Sequence, residues 1–299
     1  MGGSGTSGAG LVNVAREPSG LPEARRAAAV GTFDGVHRGH LQVIDAARRA
    51  DLRTSVVTFD PHPRAVLGGG VELLATLERR LELLAAAEVE DVLVLPFDEE
   101  LAALSAEEFA ERMLRGIGAE MVAAGETFRF GRGREGDLDL LAGLGFDVRR
   151  VPLVENVSSS RVRELVHAGE PERAAKLLGR PPEVEGIVVR GDGRGRELGF
   201  PTANLDVPDE LLVPPDGVYA GWALDRRAAV SIGTNPHFDG VERRVEAHLL
   251  DFDGDLYGQR LVVEIWATIR EQRRFDSLEE LVVAIGDDVA RTRRAVRPG

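Results

Sequence analysis

Cysteine is absent from the 299 residues, which excludes disulfides, thiolate metal sites and cysteine nucleophiles. Lysine is almost absent: Lys176 is the only one, and every other cationic side chain of fixed charge is an arginine. That excludes a P-loop, whose lysine is essential, and no GxxxxGK(S/T) string occurs. No run of eighteen apolar residues exists, so no membrane-spanning helix is predicted. The amino end is polar and glycine-rich rather than basic and then apolar, so no signal peptide is expected. Positive charge is also short: 37 Lys and Arg face 50 Asp and Glu, a net charge of −13 that argues against general binding to nucleic-acid backbones. What remains is a chain long enough for two domains, with a cytoplasmic enzyme of small molecules as the expected class and its oligomeric state open.

Residues 1–10 (MGGSGTSGAG) lack periodicity and are read as a disordered leader. From Ala27 to about Leu178 short apolar runs alternate with helical patterns. Strands are predicted at 27–33, 53–59, 91–95, 120–124 and 147–151, and helices at about 40–49, 76–88, from Ser105, 161–168 and 171–178. Such alternation gives a parallel sheet covered by helices, a Rossmann-like α/β domain over residues 11–180. Residues 179–183 (GRPPE) read as a linker. Beyond them, over 183–299, strand patterns at 184–190, 217–224, 228–232, 244–252 and 260–269 follow closely with few helices between. These predict a small antiparallel β-barrel, with Asp253-Gly254 as a tight hairpin and one closing helix from Asp276 or Ser277 to about Arg294.

Two constellations carry chemistry. Residues 31–40 read GTFDGVHRGH, between a buried strand and a helix, where ligands bind in open α/β sheets. Gly31, Gly35 and Gly39 allow close backbone approach, the helix offers amide groups to an anion, and His37 and His40 add donors suited to charge growing on a phosphate. No third metal ligand stands at a zinc spacing. Residues 191–205 read GDGRGRELGFPTANL, a glycine- and arginine-rich segment that can fold over an anion. In an extended segment Thr202 and Asn204 point to one side, as hard oxygen ligands suited to Mg²⁺. Alternation in RRVEAHLLDF puts Val245, Ala247 and Leu249 on one face and Glu246 with His248 on the other, where a carboxylate can take a proton from an attacking hydroxyl.

GTFDGVHRGH resembles the HxGH nucleotidylyltransferases. With TFDPHP (58–63), GETFRFGRGREGD (125–137), SSSRVR (158–163), PTAN (201–204), DGVYAG (216–221), SIGTNPHF (231–238), DFDGDLYG (251–258) and IREQRRFDSLEEL (269–281), the chain resembles the bacterial bifunctional riboflavin kinase/FAD synthetases from about Val30 to Arg294. The resemblance implies that riboflavin is phosphorylated by Mg-ATP to FMN, and that FMN is adenylylated by ATP to FAD and pyrophosphate. It implies ATP and phosphate contacts at Gly31, Phe33, Asp34, Gly35, Gly39, Ser159, Ser160, Arg163, Gly191, Gly195, Thr202 and Asn204. Catalytic roles fall on His37, His40 and Glu246, Mg²⁺ on Thr202 and Asn204, and flavin contacts on Thr127, Arg270 and Phe275. Two positions depart from the family: Thr127 stands where Asn or Asp is usual, and His237 where Thr is usual. Riboflavin, FMN and ATP are the implied partners, with no nucleic acid and no membrane. Three rivals are weighed: a riboflavin kinase whose first domain only binds nucleotide, a flavin-binding protein without turnover, and a transferase for another alcohol phosphate, which leaves the kinase-like second half unexplained.

Overall fold

The computed structural model describes residues 12–49, 51–234 and 243–298. The leader at 1–10 and His237 lie outside the described residues. The chain divides into two compact units. One comprises residues up to Val71 with Thr76–Val157, the other Glu72–Ala75 with the residues from Ser158 onward.

The first unit runs β1 (Asn13–Ala15), β2 (Arg26–Val30), α1 (Arg38–Ala47), β3 (Arg53–Phe59), α2 (Pro63–Val66), α3 (Leu77–Ala86), β4 (Asp91–Leu95), α4 (Glu99–Ala103), α5 (Ala106–Phe109), β5 (Ala119–Gly125), α6 (Leu138–Gly143) and β6 (Asp147–Val151). The strands form one parallel sheet in the order β1-β4-β3-β2-β5-β6. The near-continuous apolar runs of β2 and β4 are what a sheet covered on both faces requires. Ala28 and Val30 pack with α5 and α6 on one face, and Ala27 and Ala29 pack with α1 and α3 on the other. β1 is too short to show a pattern in the sequence. It is fixed by Asn13, whose Nδ2 donates to Asp91 Oδ1 at 2.8 Å.

Asp91 is fully buried at the amino edge of this sheet, where Arg26 and Arg53 also reach it, at 2.9 and 2.8 Å. Burial alone would raise its pKa. The hydrogen bonds from Arg53 and Asn13 and the charge of Arg26 outweigh burial and hold the carboxyl below its usual range. The charged cluster therefore ties together the edge of the sheet opposite the ligand-binding edge.

The strand order reverses at β2. From β2 the chain moves to β3 and β4 on one side, then to β5 on the other. The crevice beyond the carboxyl ends of β2 and β5 is thus the topological switch point, where such sheets bind ligands. The loop that follows β2 is GTFDGVH, and the turn that follows β5 holds Thr127.

The second unit contains α7 (Ser159–His167), α8 (Pro171–Leu178), β7 (Glu183–Val189), α9 (Arg194–Glu197), β8 (Ala203–Asp206), β9 (Gly217–Ala223), β10 (Arg226–Thr234), β11 (Arg243–Leu249), β12 (Arg260–Glu271) and α10 (Leu278–Arg294). Six antiparallel strands close into a barrel, β10-β11-β8-β7-β12-β9. Its interior is filled by one face of each strand, including Val230, Ile232, Val245, Ala247, Val263 and Ile265. α7 and α8, read from the sequence as the end of the first domain, group with this unit. One expectation is corrected. β11 and β12 do not pair as a hairpin across Asp253-Gly254: β11 lies between β10 and β8, and β12 between β7 and β9. Closing the barrel requires each strand to have two partners, and the turn signal at 253–254 sits in a connection that crosses the barrel instead.

Candidate active sites

In the first unit the helix after β2 begins at Arg38, earlier than the pattern predicted, because His37 caps it. The cap is reciprocal. The His40 amide donates to His37 Nδ1 at 3.2 Å, and the His37 amide donates to His40 Nδ1 at 3.4 Å. An Nδ1 that accepts cannot carry a proton, so each neutral ring carries its proton on Nε2. The rings stack with centroids 3.6 Å apart and 10° between planes. Burial first, then the neighbouring His37 and Arg80, hold His40 well below the ordinary histidine pKa. His40 is therefore an N–H donor at neutral pH rather than a cation.

The loop that delivers these rings is conformationally unusual. Phe33 and Val36 have φ of 51° and 39°, in the left-handed region that non-glycine residues avoid, and Gly35 has φ of 76°. Asp34 and Phe33 are both 1% exposed, so neither is displayed on the surface. Behind the loop stands Arg80, 5% exposed, which the sequence reading missed. A signal was present: Leu77, Arg80, Leu81 and Leu84 share one helical face, so a charge falls within an apolar stripe. Thr127 is exposed in the turn after β5, next to Phe128, whose ring stacks on Phe130 at 5.5 Å.

Ser159, Ser160 and Arg163 lie on α7, in the second unit. Ser158 supplies the cap there, accepting from the Arg161 amide at 3.1 Å, and Arg163 Nε donates to the Glu72 carbonyl at 2.6 Å.

In the second unit the PTAN segment and Glu246 meet. Asn204 is the register partner of Glu246 across β8 and β11, and Ser231 is its partner on β10. Thr202 Oγ1 donates to Glu246 Oε2 at 3.2 Å. Alternation holds as read: Val245, Ala247 and Leu249 fill the barrel while Glu246 lies on the outer face. The glycines are needed for contact. A side chain at Gly191 would collide with the Asn204 carboxamide, and one at Gly195 would stand 2.5 Å from the Phe200 carbonyl. Glu246, Thr202, Asn204, Ser231 and Gly195 line a cavity of about 630 Å³, a size suited to a small-molecule ligand. Its lip is formed by Gln272, Arg273, Arg274 and Phe275. Gln272 Nε2 donates to Ser231 Oγ at 2.9 Å and to the Ile232 carbonyl at 3.1 Å, fastening the lip to β10. The guanidinium of Arg273 lies 4.8 Å from the Phe275 ring centre and that of Arg270 5.5 Å. Arg270 is also held by Asp288 of α10, at 2.7 Å, so its charge is engaged behind the lip. The sequence reading missed Gln272 and Asp288. Asp288 was legible as a carboxylate on the buried face of α10, four residues from Ala284 and from Thr292.

Comparisons with known proteins also divide the chain into two parts. The family described as FAD synthetase matches residues 22–163, and the family described as riboflavin kinase matches residues 178–296. A protein of Pseudomonas fluorescens named bifunctional riboflavin kinase/FMN adenylyltransferase is 38% identical, over 91% of this chain and 93% of its own length. The chain belongs to that bifunctional family. A Bacillus subtilis protein of the same name is 35% identical over 89% of this chain and 91% of its own. A crystal structure described as a macrolide-efflux protein from Streptococcus pneumoniae is 32% identical with a TM-score of 0.85, covering 95% of this chain and 99% of that one. What carries over from it is the fold. Among the described residues no helix is long and apolar enough to cross a membrane.

Proposed function

We propose that this chain performs its family's two reactions at separate sites, phosphorylating riboflavin at the Glu246 cavity and adenylylating FMN at the His37–His40 loop. The observation that carries the kinase assignment is the convergence of Thr202, Asn204 and Glu246 on one cavity, with the 3.2 Å contact between Thr202 and Glu246. Glu246 accepts the proton of the flavin's ribityl hydroxyl as that oxygen attacks the γ-phosphorus of ATP and the bond to the β-phosphate oxygen breaks, releasing ADP. Thr202 and Asn204 offer a hydroxyl and an amide oxygen, the hard donors a partly hydrated Mg²⁺ takes, and the missing side chain at Gly191 keeps the loop backbone against them. Bound Mg²⁺ would neutralise phosphate charge there. No cluster of three or more His, Asp or Glu that could hold a metal occurs among the described residues. Phe275, with the Arg273 guanidinium over its ring, is assigned to the flavin by family position.

In the adenylyl transfer an FMN phosphate oxygen attacks the α-phosphorus of a second ATP, and pyrophosphate leaves. The nucleophile is already anionic, so orientation and charge stabilisation suffice, and the Nε2–H groups of His37 and His40 supply the latter. Thr127 stands at the switch point for a flavin contact, while Ser159, Ser160 and Arg163 are assigned to triphosphate by family position. By family position we assign residues 11–180 to adenylyl transfer, although α7 and α8 group with the second unit, and 183–299 to the kinase, in the cytoplasm, where ATP is abundant.

The test is a time course with riboflavin, excess ATP and Mg²⁺, flavins being separated by chromatography. FMN should rise and then fall as FAD accumulates. FMN accumulating alone would remove the adenylyl assignment. Riboflavin and separately supplied FMN both unchanged would remove both.

A further inference from the structure

We propose that Arg80 is a positioning residue for adenylyl transfer: its buried guanidinium ties the loop bearing His37 and His40 to the carboxyl end of β3, and so sets where the two imidazoles stand. The inference rests on the assignment of adenylyl transfer to those histidines.

Arg80 Nη1 donates to the Thr32 carbonyl at 2.9 Å, and Nη2 donates to the Phe59 carbonyl at 3.1 Å. Thr32 begins the histidine loop and Phe59 ends β3, so one side chain bridges two loops at the ligand-binding edge of the sheet. The Thr32 carbonyl also accepts from Thr58 Oγ1 at 2.9 Å, which makes it the fixed point of the loop. Strain at Phe33 and Val36 follows directly after it. Left-handed φ at non-glycine residues persists only where the surroundings over-determine it, and a doubly bonded carbonyl at the loop's start is such a constraint.

Burying a guanidinium is costly, and a leucine would fill this stripe of α3 at less expense. The adjacent Arg79 shows the ordinary alternative, pairing with Glu82 at 2.6 Å on the surface. Arg80 is instead lowered in pKa by burial and supported by the charges of Asp34 and Asp60, the latter 3.9 Å away. Among the described residues, the groups facing His40 are His37, the Phe33 ring at 5.1 Å and the charge of Arg80. A cation there opposes protonation of His40, so the clamp serves both the position of the ring and its donor form.

Arg80→Met and Arg80→Lys in the full chain test this, with FAD formation from FMN and FMN formation from riboflavin measured on the same preparations. Arg80→Met should lower kcat for FAD formation about 10- to 100-fold, the scale of a catalytic group displaced by about an ångström. The acid limb of the pH–rate profile should move to higher pH, because His40 then protonates more readily. The kinase rate should stay within about two-fold, consistent with a local effect. Arg80→Lys should recover part of kcat and keep the wild-type acid limb. FAD formation within two-fold of wild type in Arg80→Met would overturn the proposal. So would equal loss in both variants with an unmoved acid limb, which would assign Arg80 to folding alone. A wild-type enzyme making FMN but no FAD would remove the adenylyl assignment itself, and the inference with it.

Discussion

The two units place their reactive groups by different means. In the barrel, Glu246 and Asn204 face each other across adjacent strands, so the ladder itself sets their separation. In the parallel sheet, His37 and His40 stand beyond a strand end, where no ladder reaches. Their position depends on a mutual cap, a strained loop and a buried arginine. A site on a strand inherits the precision of the sheet, whereas a site on a loop has to be fixed by side chains from elsewhere. The margin of the barrel site lies off the ladder, in the glycine segment with Gly193 and Gly195 and in the lip at 272–275, which Gln272 fastens to β10.

Selective loss of one activity at a time would break this comparison most sharply. Glu246→Gln keeps an oxygen that can accept from Thr202 Oγ1 but removes the base. Riboflavin phosphorylation should fall about 10²- to 10⁴-fold, with FAD formation from supplied FMN unchanged. Kinase turnover near wild type would show that proton removal is not assigned to this carboxylate. His40→Ala should do the converse, lowering FAD formation about 10²-fold or more and leaving FMN formation intact. Because His40 begins neutral, the wild-type rate of FAD formation should hold at pH values where an ordinary histidine is half protonated. It should fail only as pH drops through the lowered pKa of His40. An acid limb near the ordinary histidine value would mean that another group governs transfer.

What could be read from the sequence follows the same division. Period-two alternation put Glu246 on the outer face of its strand, because a half-buried strand has only two faces. The parallel sheet was legible from its apolar runs and the helices between them. The histidine loop was legible as a motif, but not as geometry: the mutual cap arises from two side chains three residues apart, and its stacking is invisible to periodicity. Arg79 and Arg80 look alike as neighbouring letters, and only the helical phase set by Leu77, Leu81 and Leu84 separates the surface ion pair from the buried clamp. The misread hairpin at 253–254 has the opposite origin. Asp253-Gly254 is a local turn signal, whereas the closure of the barrel, a non-local requirement, decides the pairing.

The smallest expected effect is at Thr127, and it sharpens the comparison on the loop side. Thr127 is exposed in the turn after β5, outside the strand ladder. β5 neighbours β2, so this turn borders the crevice that the histidine loop also borders. If the position contributes one hydrogen bond to FMN, restoring an amide is worth about 0.5–1.5 kcal/mol, or roughly a two- to ten-fold change in apparent affinity. Thr127→Asn should therefore lower KM for FMN by roughly that factor. It should leave kcat within about two-fold and thermal stability unchanged, as expected for an exposed turn residue. Steady-state FAD formation at varied FMN decides the matter. An unchanged KM would mean that the threonine hydroxyl already makes the contact, or that FMN is held by groups set more firmly than an exposed turn, as the barrel's ligands are.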